Sequence, residues 1–234
     1  MKDNTQRARL AIIMLWVSLA VSVLMMVSSY LQYSLLLDYD AGVEITEAEL
    51  EANDIREIAV ALLFVAVHIT TIVVFIQWFR RAYYNLHQIS TELSYSEGWA
   101  AGSWFVPILN LVRPYKIMRE LYVETQRLLH DQLAGIELKS QRQLVGIWWA
   151  FWIVVSILSN VESRVPEDTI DSLIFSSGLG IFSNAVSVAA AFFAVRVVKN
   201  YAAMEPMLRR LDTPDANLLL LNANGELDDI LDAM

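Results

Sequence analysis

The chain has 234 residues, of which 56% are hydrophobic and 18% are charged, and its formal net charge is −9. Soluble domains are rarely so apolar. Their charged residues usually make up about a quarter of the chain, which is more than the charged fraction of this one. The acidic balance argues against nucleic acid as a partner, and the absence of cysteine excludes disulfides, thiolate nucleophiles and thiolate metal sites.

Four apolar segments, at about 10–37, 58–79, 144–160 and 173–198, are long enough to cross a bilayer as helices. A hydrocarbon core about 30 Å thick needs about 20 apolar residues in helical form. The segments lack the alternation of barrel strands, and irregular backbone is not tolerated against lipid. The sequence therefore predicts an all-α fold, an integral membrane four-helix bundle within residues 1–211.

Basic residues are unevenly distributed among the links between these spans. All of them except Arg56 and Arg164 lie in the link at 80–143 or towards the two ends of the chain. Lysine and arginine concentrate in cytoplasmic loops. Both termini and residues 80–143 are therefore expected on the cytoplasmic side.

The first link, between spans one and two, is acidic. It lacks the D-x-D-x-D-G spacing of a calcium loop. Thr46 followed by Glu49 instead predicts a capping box at the start of the helix that leads into span two.

His68 lies inside span two, where an ionisable side chain is by default a functional candidate. A proton-relay or ligand role competes with a neutral imidazole hydrogen-bonded to Asn184 in span four or to Gln32 in span one. No carboxylate or second histidine accompanies His68 at membrane depth. We therefore favour the structural role and expect no metal site.

The stretch 98–111 is apolar but too short to span a membrane. Runs of about 10–14 apolar residues are more often interfacial or re-entrant, and tryptophans such as Trp99 and Trp104 suit the headgroup level. Pro107 prevents a continuous helix, and Asn110 is expected to cap or bridge the broken backbone. The sequence does not decide between insertion into the membrane and a flat position on it.

An amphipathic helix is predicted from Pro114 to about Leu133. Its apolar stripe includes Ile117, Leu121 and Leu129, and charged residues occupy much of the remaining surface. Such a helix is expected to lie on the membrane or on a partner, as the second arm of a cytoplasmic interfacial hairpin between spans two and three.

Basic, aromatic and amide residues of the link form a candidate ligand or headgroup site. Its members are Arg80, Arg81, Trp99, Trp104, Asn110, Arg113, Tyr115 and Arg119. One interpretation is simple anchoring under the positive-inside rule. The sharper interpretation is a site for an anionic headgroup or a phosphorylated ligand between Arg80 and Arg113.

Span four and the end of the chain each allow two interpretations. Small residues recur at three- and four-residue spacing from Ser183 to Ala194, which indicates close packing within the bundle or self-association. Residues 212–234 form an acidic tail, which is either mobile or a short helix that docks on a basic surface.

Two stretches carry a resemblance to a known family. Residues 75–86, FIQWFRRAYYNL, and residues 98–122, with GW, GSWFVP, NLVRPY and MRELY in order, resemble the bacterial membrane family "domain of unknown function 4328". The first span, the acidic first link and the tail are expected to lie outside it. The resemblance implies a four-helix bacterial membrane protein, and it brings no known activity or catalytic residues. We expect this multi-pass protein in the bacterial cytoplasmic (inner) membrane.

Three classes of function follow from these observations. The favoured one is a non-enzymatic membrane protein whose cytoplasmic hairpin binds an unidentified protein partner or anionic membrane lipid. The alternative is an oligomeric channel or transporter, which either self-associates through span four or uses the broken segment at Pro107 as a gate. An enzyme acting on lipid is disfavoured, because the sequence holds no convergent nucleophile or acid–base set and no cofactor motif.

Overall fold

The computed structural model describes residues 1–132, 142–166 and 168–211. The helices in chain order are α1 (Thr5–Asp40), α2 (Glu47–Leu86), α3 (Trp99–Gly102), a 3-10 turn (Leu109–Leu111), α4 (Arg113–Gln132), α5 (Arg142–Glu162) and α6 (Ile170–Leu211). Helices α1, α2, α5 and α6 are long and apolar enough to cross a membrane. The prediction of an all-α chain with four such helices is confirmed, whereas the acidic tail lies outside the described residues.

Helix α2 begins as the sequence predicts. The Thr46 backbone N–H donates to Glu49 Oε2 at 2.8 Å, and the Glu49 N–H donates to Thr46 Oγ1 at 3.3 Å. This reciprocal capping box satisfies amides that have no partner inside the helix. Helix α2 then runs past the apolar segment and ends at Leu86.

Contacts divide the chain into two units. The first, which we call the aromatic unit, comprises Met1–Ile12, Val73–Ile147 and Val195–Met234 so far as these are described. The second, which we call the span unit, comprises Ile13–Ile72 and Trp148–Ala194.

The core of the aromatic unit is closed to solvent. Its fully buried large side chains include Trp78, Phe79, Tyr83, Leu86, Ile117, Met118, Leu121, Tyr122, Tyr201 and Leu208. The Tyr122 ring lies 5.8 Å from the Tyr201 ring, and its hydroxyl donates to the Val197 carbonyl. The predicted apolar stripe of α4 is therefore covered by the chain's own helices. The expectation that this stripe lies on the membrane or on a partner was wrong.

A polar cluster attaches the first residues of the chain to the ends of α2 and α6. The Asn85 side chain accepts from the Lys2 N–H at 2.9 Å and donates to the Lys2 carbonyl at 2.8 Å. The buried Glu205 carboxylate accepts from Asn85 Nδ2 at 2.7 Å and from Asn4 Nδ2 at 3.0 Å. Asp3 adds an ion pair with Arg209 at 3.0 Å. We call residues 2–4, Asn85 and Glu205 the terminal latch. Its amide donors solvate the buried carboxylate in place of water, whereas Asn4 Oδ1 has no hydrogen-bond partner among the described residues.

The span unit leaves most of its apolar surface uncovered. Even in α6, the best covered of the four long helices, only 33% of the most apolar stretch is buried inside the protein. Close packing occurs locally, since a Cβ added at Gly180 would lie 3.3 Å from Ser29 Oγ. Polar pairing also occurs locally, where Arg56 Nε donates to Ser28 Oγ at 3.1 Å. The outward apolar surface is what a lipid environment would cover.

Candidate anion-binding site around Arg113

The segment 95–99 brings two of the predicted arginines together. Arg80 Nε lies 3.3 Å from Glu97 Oε1. The guanidinium carbon of Arg113 lies 3.9 Å from the centre of the Trp99 ring and 5.4 Å from that of Tyr95. Residues from the end of α2 and from the start of α4 therefore meet on one short segment.

Hydrogen bonds from α2 and α4 fix the position of this segment. The Tyr83 hydroxyl lies 3.0 Å from the Tyr95 carbonyl and 2.6 Å from Glu120 Oε2. The other carboxylate oxygen of Glu120 accepts from the Ser94 N–H at 2.7 Å. Sequence reasoning missed Glu120, which is a positioning residue. Its only sequence signal was an acidic side chain beside the apolar stripe of α4.

Arg113 differs from other arginines in its partners. Arg56, Arg80, Arg127 and Arg209 each form an ion pair with a carboxylate. Arg113 instead stacks on aromatic rings, and its buried Nη1 has no hydrogen-bond partner among the described residues. Stacking covers the faces of a guanidinium and leaves its N–H edge for a planar or tetrahedral anion.

A second unpartnered donor lies close to Trp99 along the chain. The Ser103 N–H donates to the Trp99 carbonyl at 3.1 Å, so Ser103 ends the short turn that Trp99 begins. The Ser103 hydroxyl is fully buried and has no hydrogen-bond partner within the described part of the chain. Buried donors without partners are rare in native proteins, and each needs an explanation such as an unseen ligand or water.

The remaining predicted members take separate positions. Arg81 and Lys2 both lie over the ring of Tyr84, at 5.8 and 4.9 Å from its centre. Trp104 packs edge-on to Phe75 and Phe79, with ring centres 5.8 and 6.3 Å away.

Three members lie at or just before the start of α4. Tyr115 is half-buried and Arg119 is exposed. The backbone N–H of Asn110 bridges the broken stretch by donating to the Val106 carbonyl at 3.0 Å. Every residue except proline has a backbone N–H, so this bond does not test the expected role of Asn110, which stays a prediction.

Glu124, further along α4, forms a compact cluster with Ser90 and Arg127. It accepts from the Ser90 hydroxyl at 2.6 Å and from Arg127 at 2.7 Å and 3.0 Å. The hydrogen bonds from Arg127, followed by the one from Ser90, hold the pKa of the Glu124 carboxyl below its ordinary value, against the opposing effect of burial.

The two intramembrane polar candidates are not brought together. The ring of His68 stacks on Phe64 at 5.4 Å within its own helix. The Asn184 side chain donates to the Gly180 carbonyl at 2.8 Å, also within its own helix. His68, Asn184 and Gln32 are all described by the structure, and His68 forms no hydrogen bond to either of the other two. Among all described residues, no group of three His, Asp or Glu side chains gathers as metal ligands.

A comparison with protein families gave one match. The model of the family described as "Domain of unknown function (DUF4328)" matches residues 41–203. The match includes Arg80, Trp99 and Arg113, and it also includes most of the acidic first link, which we had expected to lie outside. Comparisons with curated proteins and with solved structures gave no match.

Proposed function

The chain belongs to that family, and since membership brings no activity with it, we propose a function from the geometry of the chain itself. The protein is a non-enzymatic, multi-pass protein of the bacterial inner membrane with both termini inside. Its region 80–143 binds a phosphate-bearing lipid headgroup at Arg113. The single observation that carries this proposal is the aromatic-stacked guanidinium of Arg113 with a buried, unpartnered Nη1.

The chemistry of the guanidinium favours a phosphate. Arg113 is half-buried, and a buried N–H of its guanidinium that lacks an acceptor is unfavourable. The guanidinium fork matches two phosphate oxygens, and such charge-assisted bonds are about twice as strong as neutral ones. A headgroup phosphate at Arg113 would supply both the missing charge and the missing acceptor.

The neighbouring charges support a lipid source for that phosphate. Lys116 and Arg119 are exposed on the first turns of α4. Near an anionic leaflet each such cation contributes roughly 1 kcal/mol to association. Arg80 and Arg81 follow the apolar part of α2, where headgroups begin in the proposed orientation.

The test is retention of phosphatidylglycerol by the purified protein, counted by native mass spectrometry after reconstitution with phosphatidylethanolamine and phosphatidylglycerol. Arg113→Gln is expected to lower retention at least tenfold, and Arg113→Lys is expected not to restore it, because an ammonium lacks the fork. Lys199→Gln, which removes an exposed charge from the same unit, serves as the control.

Three outcomes would distinguish the alternatives. Equal retention by wild type and Arg113→Gln would contradict the site. Displacement of the lipid by millimolar inorganic phosphate would identify a soluble phosphate compound as the ligand. Loss of a co-purifying protein in Arg113→Gln, with lipid retention unchanged, would favour the protein partner.

The channel or transporter stays the second candidate. Several polar side chains of the span unit bond back to their own helices, as Asn184 does to Gly180 and Ser187 does to Ser183. Such bonds occupy polar groups that would otherwise line a pathway. Ion flux through proteoliposomes that depends on Ser187 would reverse this ranking.

A further inference from the structure

The stretch that follows Trp104 exposes large apolar side chains. We call residues 105–112 the apolar tip. Phe105 is 73% exposed and Ile108 is 78% exposed, and Val106, Leu111 and Val112 are exposed as well. The exposed fractions of Phe105 and Ile108 exceed that of Leu62 (67%) in the span unit, whose surroundings are expected to be lipid.

The rest of the aromatic unit buries most of its large apolar side chains. Outside the tip, the large apolar side chains that this unit exposes in its described part are Leu10, Val73 and Ile147. Each of these lies close to the point where its segment continues into the span unit. The tip is therefore a separate apolar patch on a unit that otherwise buries such residues, and patches of this kind mark interaction surfaces.

The backbone of the tip presents Ile108 outward. The Leu109 N–H donates to the Pro107 carbonyl at 2.8 Å, and Ile108 between them has φ 69° and ψ −45°. This is a γ-turn of the rare, strained, positive-φ kind. A β-branched residue is a genuine outlier there, and such strain is concentrated at functional positions. Glycine or asparagine would fit the turn better, so packing inside the protein does not account for an exposed isoleucine.

The position of Trp104 relates the tip to the apolar part of α2. Its ring contacts Phe75 and Phe79, which precede Arg80 on that helix. Phe75 lies five residues before Arg80, about 7–8 Å along the helix axis at the usual rise. Trp104 therefore lies on the apolar side of Arg80, and the apolar tip begins at the next residue, Phe105.

We propose that the apolar tip inserts into the acyl-chain region of the leaflet next to Arg80, with Phe105 and Ile108 as its most deeply placed residues. The occupant of this face is the lipid of the membrane in which α2 lies. Arg113, Lys116 and Arg119 follow the tip directly, and their charge suits the headgroup layer above the acyl chains. The inference rests on the proposed membrane orientation but not on the anion site at Arg113.

The absence of cysteine allows a direct measurement of depth. Single variants Phe105→Cys and Ile108→Cys carry a nitroxide in phosphatidylethanolamine–phosphatidylglycerol proteoliposomes. Collision rates with oxygen, which concentrates in acyl chains, are compared with those of a water-soluble nickel chelate. Ile69→Cys on the apolar surface of α2 is the lipid reference, and Thr91→Cys, on an exposed polar turn, is the water reference.

We expect labels at positions 105 and 108 to favour oxygen as the label at 69 does, by tenfold or more relative to the label at 91. Nickel accessibility equal to that at position 91 would overturn the proposal. Exclusion of both reagents would also overturn it, in favour of a protein contact such as a second copy. If Ile108→Cys does not fold, Leu111→Cys takes its place.

Repeating the measurement in the Arg113→Gln background separates this inference from the proposed function. An inserted tip that persists after lipid retention is lost leaves both proposals standing. An aqueous tip in a protein that still retains lipid through Arg113 removes the insertion alone. An inserted tip in a protein whose lipid retention does not depend on Arg113 removes the headgroup site alone.

Discussion

The aromatic unit and the span unit share long helices but place their apolar side chains in opposite ways. In α2, Trp78 and Phe79 are fully buried, whereas Leu62 and Ile69, in the same helix, are more than half exposed. Hydropathy alone does not separate these residues. The difference shows that one continuous helix contributes to a closed protein core at one end and carries apolar side chains that the chain leaves uncovered along the rest.

The largest effect should come from removing matched leucines in the two units. Leu121→Ala leaves a cavity in the aromatic core and is expected to lower the free energy of unfolding by about 2–5 kcal/mol. Leu62→Ala removes the same atoms from an exposed position and should change that free energy by less than about 0.5 kcal/mol. Unfolding titrations in detergent micelles, followed by tryptophan fluorescence, measure both. Equal losses would abolish the distinction between the units.

The next largest effect on the free energy of unfolding should come from the terminal latch. Asn85→Ala removes a donor to the buried Glu205 carboxylate and both contacts to Lys2, and should cost about 1–3 kcal/mol. Asn184→Ala removes an amide that bonds within its own helix, and should cost less than about 1 kcal/mol. Protease sensitivity of the first residues and unfolding titrations provide the measurements. A latch variant as stable as Asn184→Ala would show that the cluster does not stabilise the aromatic unit.

A glycine pair compares a closely packed helix position in the span unit, Gly180, with an open helix position in the aromatic unit, Gly146. Gly180→Leu forces a side chain against Ser29 and should cost about 1–3 kcal/mol through overpacking. Gly146→Leu meets no atom within 4 Å of the added Cβ and should be neutral or slightly stabilising. The reverse order of stability, measured in the same titration, would mean that α1 and α6 do not approach closely at this point.

The smallest effect concerns pH. Because the pKa of Glu124 is lowered in the folded protein, its stabilising contribution is complete above the unfolded value of about 4.5 and is lost as pH falls below that value. Glu124→Gln should therefore flatten the loss of stability between pH 5 and pH 3, by roughly 1 kcal/mol. Glu92→Gln removes a far more exposed partner of Arg127 and serves as the control, with an expected loss of stability below about 0.5 kcal/mol. Parallel profiles for wild type and Glu124→Gln would contradict the assignment.

The sequence predicted the parts of this protein that follow from length, composition and local chemistry. Four helices, the capping box at Thr46 and the helix from about 114 all depend on patterns that repeat within a few residues. The covering of α4 could not be predicted, because an apolar stripe looks the same whether lipid, a partner or Tyr201 lies against it. The stacking of Arg113 on Trp99 could not be predicted either, because it is a contact between residues of two separate helices. The hydrogen bonds of Glu120 and Glu205 had no local signal beyond an acidic residue in a helix.

The terminal latch has a consequence for biosynthesis. Asn4 and Glu205 are 201 positions apart in the chain, so this contact forms only after α6 has left the ribosome. Until then the apolar face of α4 lacks Val197 and Tyr201, the groups that cover Tyr122. Contacts of such long sequence separation form slowly, and exposed apolar surface favours aggregation. Completion of the aromatic unit therefore requires that α6 has been synthesised, and a ribosome stalled before residue 197 would hold a chain whose aromatic core is still open.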